Sequence, residues 1–119
     1  MPTRVLIVDD HEDFRASARA LLAAEGYEIV GEAEDGESGL AEARRLSPDV
    51  VLLDVQLPGV DGFEVARRLL GEPVPPAVVL VSSRSAAEYG ARVGDTPAEG
   101  FISKGDLSGA ALAAVLRGS

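Results

Sequence analysis

A repeated alternation constrains the fold more than any other feature of this chain. Five short apolar runs, Val5–Val8, Tyr27–Ala33, Val50–Leu53, Ala77–Val81 and Gly100–Ile102, alternate with longer amphipathic or alanine-rich segments. Runs that stay apolar without alternating, with Val and Ile prominent, suit strands covered on both faces. The segments between them carry stripes at helical spacing. Phe14, Ala18, Leu21 and Leu22 form the first, and Leu40, Ala43 and Leu46 the second. Phe63, Val65, Ala66, Leu69 and Leu70 form the third, and Ala110–Leu116 is a small-residue helix at the end. The stretch from Ser85 to Val93 is a weak helix, because Gly90 interrupts it and Gly94 follows it. Five β-α repeats predict an α/β fold: a parallel sheet with helices on both faces. At 119 residues, without an internal repeat or linker, the chain is expected to form a single domain over 1–119.

Composition removes several classes of function. A net charge of -9 and a pI near 4.5 disfavour direct binding to nucleic acid and docking on anionic membranes. The absence of cysteine excludes disulfides, zinc-thiolate sites and thiol catalysis. His11 is the only histidine, which excludes a histidine-rich metal site. No apolar run has the length of a membrane span, and the first residues lack a signal-peptide pattern, so a cytoplasmic location is expected. Ten of the eleven basic residues are Arg, and the exception is Lys104. A lone lysine marks either a position that needs a compact point charge on a flexible stem or an ordinary surface loop.

In open parallel sheets, ligands bind at the carboxyl ends of the strands. The first strand, within "RVLIVDDHEDF", ends in Asp9 and Asp10. The third ends in Asp54, the fourth in Ser82 and Ser83, and the fifth runs into Lys104. Each has a plain structural reading. Asp10 can cap the first helix, Asp61 the third with Glu64 three residues on, and Ser82 can serve a turn. Asp54 has no helix start to cap, because "VQLPGVDG" follows it with a Pro-Gly turn. Adjacent acids at the end of a buried strand repel one another and are costly to desolvate. A hard cation offsets both effects, and Mg²⁺ takes oxygen ligands while keeping positions open for phosphate oxygens. A carboxylate can accept a phosphoryl group as an acyl phosphate. The three oxygens that arrive then suit a metal, the Lys104 ammonium and the Ser82 hydroxyl.

Taken in order, "VLIVDDHEDF", "PDVVLLDVQLPGVDGFEV", "VVLVSS" and "GFISK" resemble the receiver domain of two-component response regulators along the whole chain. The resemblance implies a flavodoxin-like, doubly wound five-stranded sheet of order 2-1-3-4-5. It implies phosphoryl transfer from a histidine kinase or phosphotransfer protein to Asp54. Mg²⁺ or Mn²⁺ would be held by Asp10, Asp54 and the backbone carbonyl of Gln56, with Asp9 acting through water. Ser82 and Lys104 would contact the phosphoryl group. Ser82 and Phe101 stand where the family has its switch residues. The domain would promote only its own phosphorylation and dephosphorylation, and so is not an enzyme in the usual sense. The surface that changes would be the fourth helix, fifth strand and last helix, open to an output partner or a second copy. One departure is Gly105 after Lys104, where the family usually has a cis proline. Cis at a non-proline costs roughly 2.5–4 kcal/mol, so a trans bond and a looser loop are expected.

Three other readings compete. A haloacid-dehalogenase-type phosphatase needs a second Asp two residues after the nucleophile, where this chain has Gln56. An FMN carrier of flavodoxin type needs a hydroxyl- and glycine-rich phosphate loop after the first strand, where "DDHED" repels phosphate. A pseudo-receiver, folded but never phosphorylated, is opposed by the intact acids, hydroxyl and lysine. The chain is read as a stand-alone receiver or as the receiver part of a longer regulator.

Overall fold

The computed structural model describes residues 2–96 and 98–117. Strand β1 (Arg4–Val8) leads to α1 (Glu12–Ala24), β2 (Glu28–Ala33) to α2 (Gly36–Leu46), and β3 (Val50–Asp54) to α3 (Gly62–Leu70). Strand β4 (Ala77–Ser82) precedes two short helices, α4 (Ala86–Tyr89) and α5 (Ala91–Asp95). Strand β5 (Gly100–Ser103) enters a 3-10 turn at Lys104–Asp106 and then α6 (Gly109–Leu116). The sheet order is β2-β1-β3-β4-β5 and every pairing is parallel, as the sequence leads one to expect.

The continuous apolar runs have a direct cause. Side chains alternate between sheet faces along a strand, and here both faces are covered. Leu6, Val8, Val51, Leu53, Val78 and Leu80 pack with Leu40 and Ala43 of α2 and with Phe63, Ala66 and Leu69 of α3. Val5, Ile7, Val50, Leu52, Val79 and Val81 pack on the other face with Ala18 and Leu22 of α1 and Leu112 of α6. The sheet therefore separates two cores.

Two local expectations are corrected and one is met. Leu21, placed in the buried stripe of the first helix, is 37% exposed, while Ala18 and Leu22 carry the contact. Strand β2 begins at Glu28, after Tyr27, and is mostly half-buried, because an edge strand has a neighbour on one side only. The weak helix expected over Ser85–Val93 is interrupted at Gly90, as its sequence suggests, and forms two short helices on either side of that residue, whose φ of 59° an L side chain resists.

The third helix is fixed close to β3. The Glu64 N–H donates to Asp61 Oδ1 at 2.9 Å, the expected cap. The Gly62 N–H donates to the Val55 carbonyl at 3.1 Å. A Cβ at Gly62 would run into the Asp54 carbonyl, so glycine permits this approach. The loop that carries Asp54 out of the sheet is thereby held against the start of α3.

Candidate functional site

Parallel pairing puts the carboxyl ends of the strands together. Val8 lies beside Ala33 and Leu53, Asp54 beside Val81, and Ser82 beside Ser103. Asp9 follows β1 directly and is fully buried. Its N–H donates to the Ala33 carbonyl at 2.9 Å, and its own carbonyl accepts from Arg15 Nη1 at 2.6 Å. Arg15 is itself paired with Glu32 at 3.0 Å, so the turn after β1 is tied to β2 through a side chain of α1.

The Asp9 carboxylate divides its two oxygens. Oδ1 accepts the His11 N–H at 2.7 Å, and Oδ2 lies 2.5 Å from Lys104 Nζ, a close ion pair. Asp10 is exposed and does not cap α1, whose cap position is His11. Its Oδ1 lies 3.1 Å from His11 Nδ1, the same distance that separates this nitrogen from Asp9 Oδ1.

Asp54 is 2% exposed. Its Oδ1 accepts the Gln56 N–H at 3.0 Å, and its Oδ2 has no hydrogen bond, with Lys104 Nζ 3.5 Å away. Burial pushes its pKa up from 3.8 to about 6. The Gln56 N–H and the Lys104 charge oppose the rise, while the charges of Asp9 and Asp10 add to it. Lys104 Nζ is also seated 4.5 Å from the centre of the Phe14 ring, a cation-π contact. The lone lysine is thus a site residue. The loop after it contains only trans bonds, as expected, and includes a bond from the Leu107 N–H to the Lys104 carbonyl at 3.3 Å.

The structure brings Asp9, Asp10, Asp54 and Lys104 together, and Gln56 with them through its backbone. Two carboxylates, Asp9 and Asp54, face one ammonium, Asp10 lies beside them, and a buried oxygen of Asp54 lacks a donor. One ligand atom each from Asp9, Asp10, His11 and Asp54 lie within 4.8 Å of one another. An oxygen-rich set with excess negative charge fits a hard divalent cation, so these residues fit Mg²⁺.

Ser82 is fully buried, and its hydroxyl is engaged elsewhere. It accepts the Arg84 N–H at 3.0 Å and lies 2.6 Å from the Tyr89 hydroxyl. Phe101 is half-buried with its ring centre 6.0 Å from that of Tyr89. Sequence reasoning missed four residues of this neighbourhood: His11, Phe14 and Arg15 around the acids, and Tyr89 beside Ser82. His11 was legible from its place next to the acid pair. Tyr89 was legible only as the one aromatic in a weak helix.

A doubly wound parallel sheet with acids and a lysine gathered at its carboxyl edge is a module of the flavodoxin-like class. The chain belongs to the response regulator receiver domain family, whose sequence model matches residues 5–116. It is 40% identical over 102 residues to a putative transcriptional regulator of Pseudomonas aeruginosa, covering 86% of this chain and 49% of that protein. It is 41% identical over 103 residues to the response regulator GacA of Pseudomonas viridiflava, covering 86% and 48%. The signal receiver domain of the putative response regulator NarL from Mycobacterium tuberculosis superposes with a TM-score of 0.83 at 32% identity, covering 97% of each chain. The chain spans about half the length of the curated relatives it matches.

Proposed function

We propose that Asp54 accepts a phosphoryl group from a histidine kinase or phosphotransfer protein, as a cytoplasmic receiver domain over 1–119. The P–N bond of the donor's phosphoimidazole breaks as a P–O bond to an Asp54 oxygen forms. The observation that carries this is the state of Asp54: a buried carboxylate with one oxygen free of donors and a lysine ammonium 3.5 Å away. Asp10, Asp54 and the Gln56 carbonyl would hold Mg²⁺ or Mn²⁺, with Asp9 acting through water. When bound, the cation neutralises charge on the phosphoryl oxygens and among the acids. Lys104 supplies the second positive contact from a position already fixed by Asp9 and Phe14. Ser82 is the hydroxyl contact and, with Phe101, the switch. The output surface is α4 and α5, β5 and α6, facing a partner protein or a second copy. The domain acts on no substrate other than its own phosphoryl group.

Intact mass after incubation with acetyl phosphate and Mg²⁺ tests the acceptor. Wild type is expected to gain one phosphoryl group and Asp54→Asn none. Equal labelling of the two would overturn the assignment, and an unlabelled wild type would favour the pseudo-receiver reading. Mg²⁺ should also raise the melting temperature by binding only the native site, and Asp10→Asn should lose most of that rise. Identical wild-type melts with and without millimolar Mg²⁺ would argue against the cation site.

A further inference from the structure

The Ser82 hydroxyl already has a partner, and it is not at the acid cluster. Along β4, Ser82 continues the alternation of Val78 and Leu80, whose core includes Phe63, Tyr89 and Phe101. Asp54 continues the alternation of Val50 and Leu52, whose core lies on the other face. A hydroxyl has one proton and two lone pairs. The Arg84 N–H fills one lone pair of Ser82 Oγ, and the contact with Tyr89, at 2.6 Å, is at the short end for O–H···O bonds. If Ser82 donates, its proton is committed to Tyr89. If Tyr89 donates, the second lone pair is taken and Oγ is held on the Tyr89 side.

Tyr89 is fixed by more than this bond. Its ring lies edge-on to Phe63 at 5.7 Å and tilted against Phe101 at 6.0 Å. Ala87 and Glu88 of the same four-residue helix are exposed, so Tyr89 is the α4 side chain drawn inward among those described. Gly90, with φ 59° and ψ -135°, ends the helix immediately after it. Phe101 has no hydroxyl, so of the two rings beside Ser82 only Tyr89 gives the hydroxyl a polar link to α4.

We propose that Tyr89 is a positioning residue for Ser82: its phenol holds the hydroxyl on the α4 side of the sheet until a phosphoryl group on Asp54 takes the hydroxyl over. This rests on the phosphoacceptor reading above. Ser82 then exchanges one partner for another, and Tyr89 loses its polar anchor. The ring between Phe63 and Phe101 is released, which frees the space Phe101 needs and unlocks α4. The unphosphorylated state is thus favoured by a bond that the phosphorylated state must break.

The sequence contains no Trp and two Tyr, so Tyr27→Phe leaves Tyr89 as the sole tyrosine emitter. In that background, beryllium fluoride with Mg²⁺ serves as the phosphoryl mimic. Acrylamide quenching of Tyr89 is expected to rise when the mimic binds and to stay unchanged with Ser82→Ala. The Tyr89→Phe variant keeps the ring and removes the hydroxyl. It is expected to bind the mimic roughly threefold to tenfold more tightly, the worth of one hydrogen bond. In the free protein, Tyr89→Phe and Ser82→Ala should each speed amide exchange at Glu88 and Gly90, and the double variant should add nothing further. Labelling at Asp54 together with unchanged Tyr89 quenching, unchanged Tyr89→Phe affinity or additive exchange rates would overturn the partner exchange and leave the acceptor intact. Absence of labelling at Asp54 would overturn both.

Discussion

A carboxylic acid whose pKa rises to about 6 through burial is stabilised by its proton. Folding raises the affinity of Asp54 for that proton above the ordinary value of 3.8. The native state then binds more protons than the unfolded chain between about pH 4 and 6. Stability from this group is complete below pH 4 and is lost as pH rises through 6. The interval between 3.8 and about 6 corresponds to roughly 3 kcal/mol. Asp54→Asn has no such proton to lose. Without divalent metal, the variant should be more stable than wild type at pH 7 by up to roughly 3 kcal/mol. The difference should shrink toward pH 4. Urea unfolding at several pH values measures it, and a difference independent of pH would contradict the assigned cause.

At the scale of elements, the start of α3 is the part that cannot shift without moving Asp54. Gly62→Ala places a methyl group against the Asp54 carbonyl and should cost roughly 3 kcal/mol. Asp61→Ala removes a cap and should cost about 1 kcal/mol. Denaturant midpoints separate the two, and a neutral Gly62→Ala would mean the loop yields easily. The elements themselves were legible in the sequence because apolar runs and stripes record burial on each face. Asp54 was legible because an acid at a strand end with no helix to cap needs another reason to be there. The place of Tyr89 beside Ser82 was not, since four residues of helix are too few to show a period and Gly90 breaks the pattern. The Lys104–Asp9 pair was half legible: strand ends assemble the charges, but which acid the ammonium approaches most closely depends on the 3-10 turn and the Phe14 ring.

The whole molecule is two hydrophobic cores on either side of one sheet. Leu22 belongs to one and Leu69 to the other. Each truncation to Ala should cost roughly 2–5 kcal/mol. The double variant should match the sum within about 0.5 kcal/mol, because the residues belong to separate cores on opposite faces of the sheet. A larger discrepancy in chemical denaturation would show that the sheet transmits packing strain from one face to the other. The solitary lysine has a use at this scale as well. Its ε-ammonium is the only one in the chain, and it sits among Asp9, Asp54 and the Phe14 ring. Lysine-selective isotope labelling therefore yields a single side-chain resonance. That resonance reports occupancy of the acid pocket with no second signal to subtract.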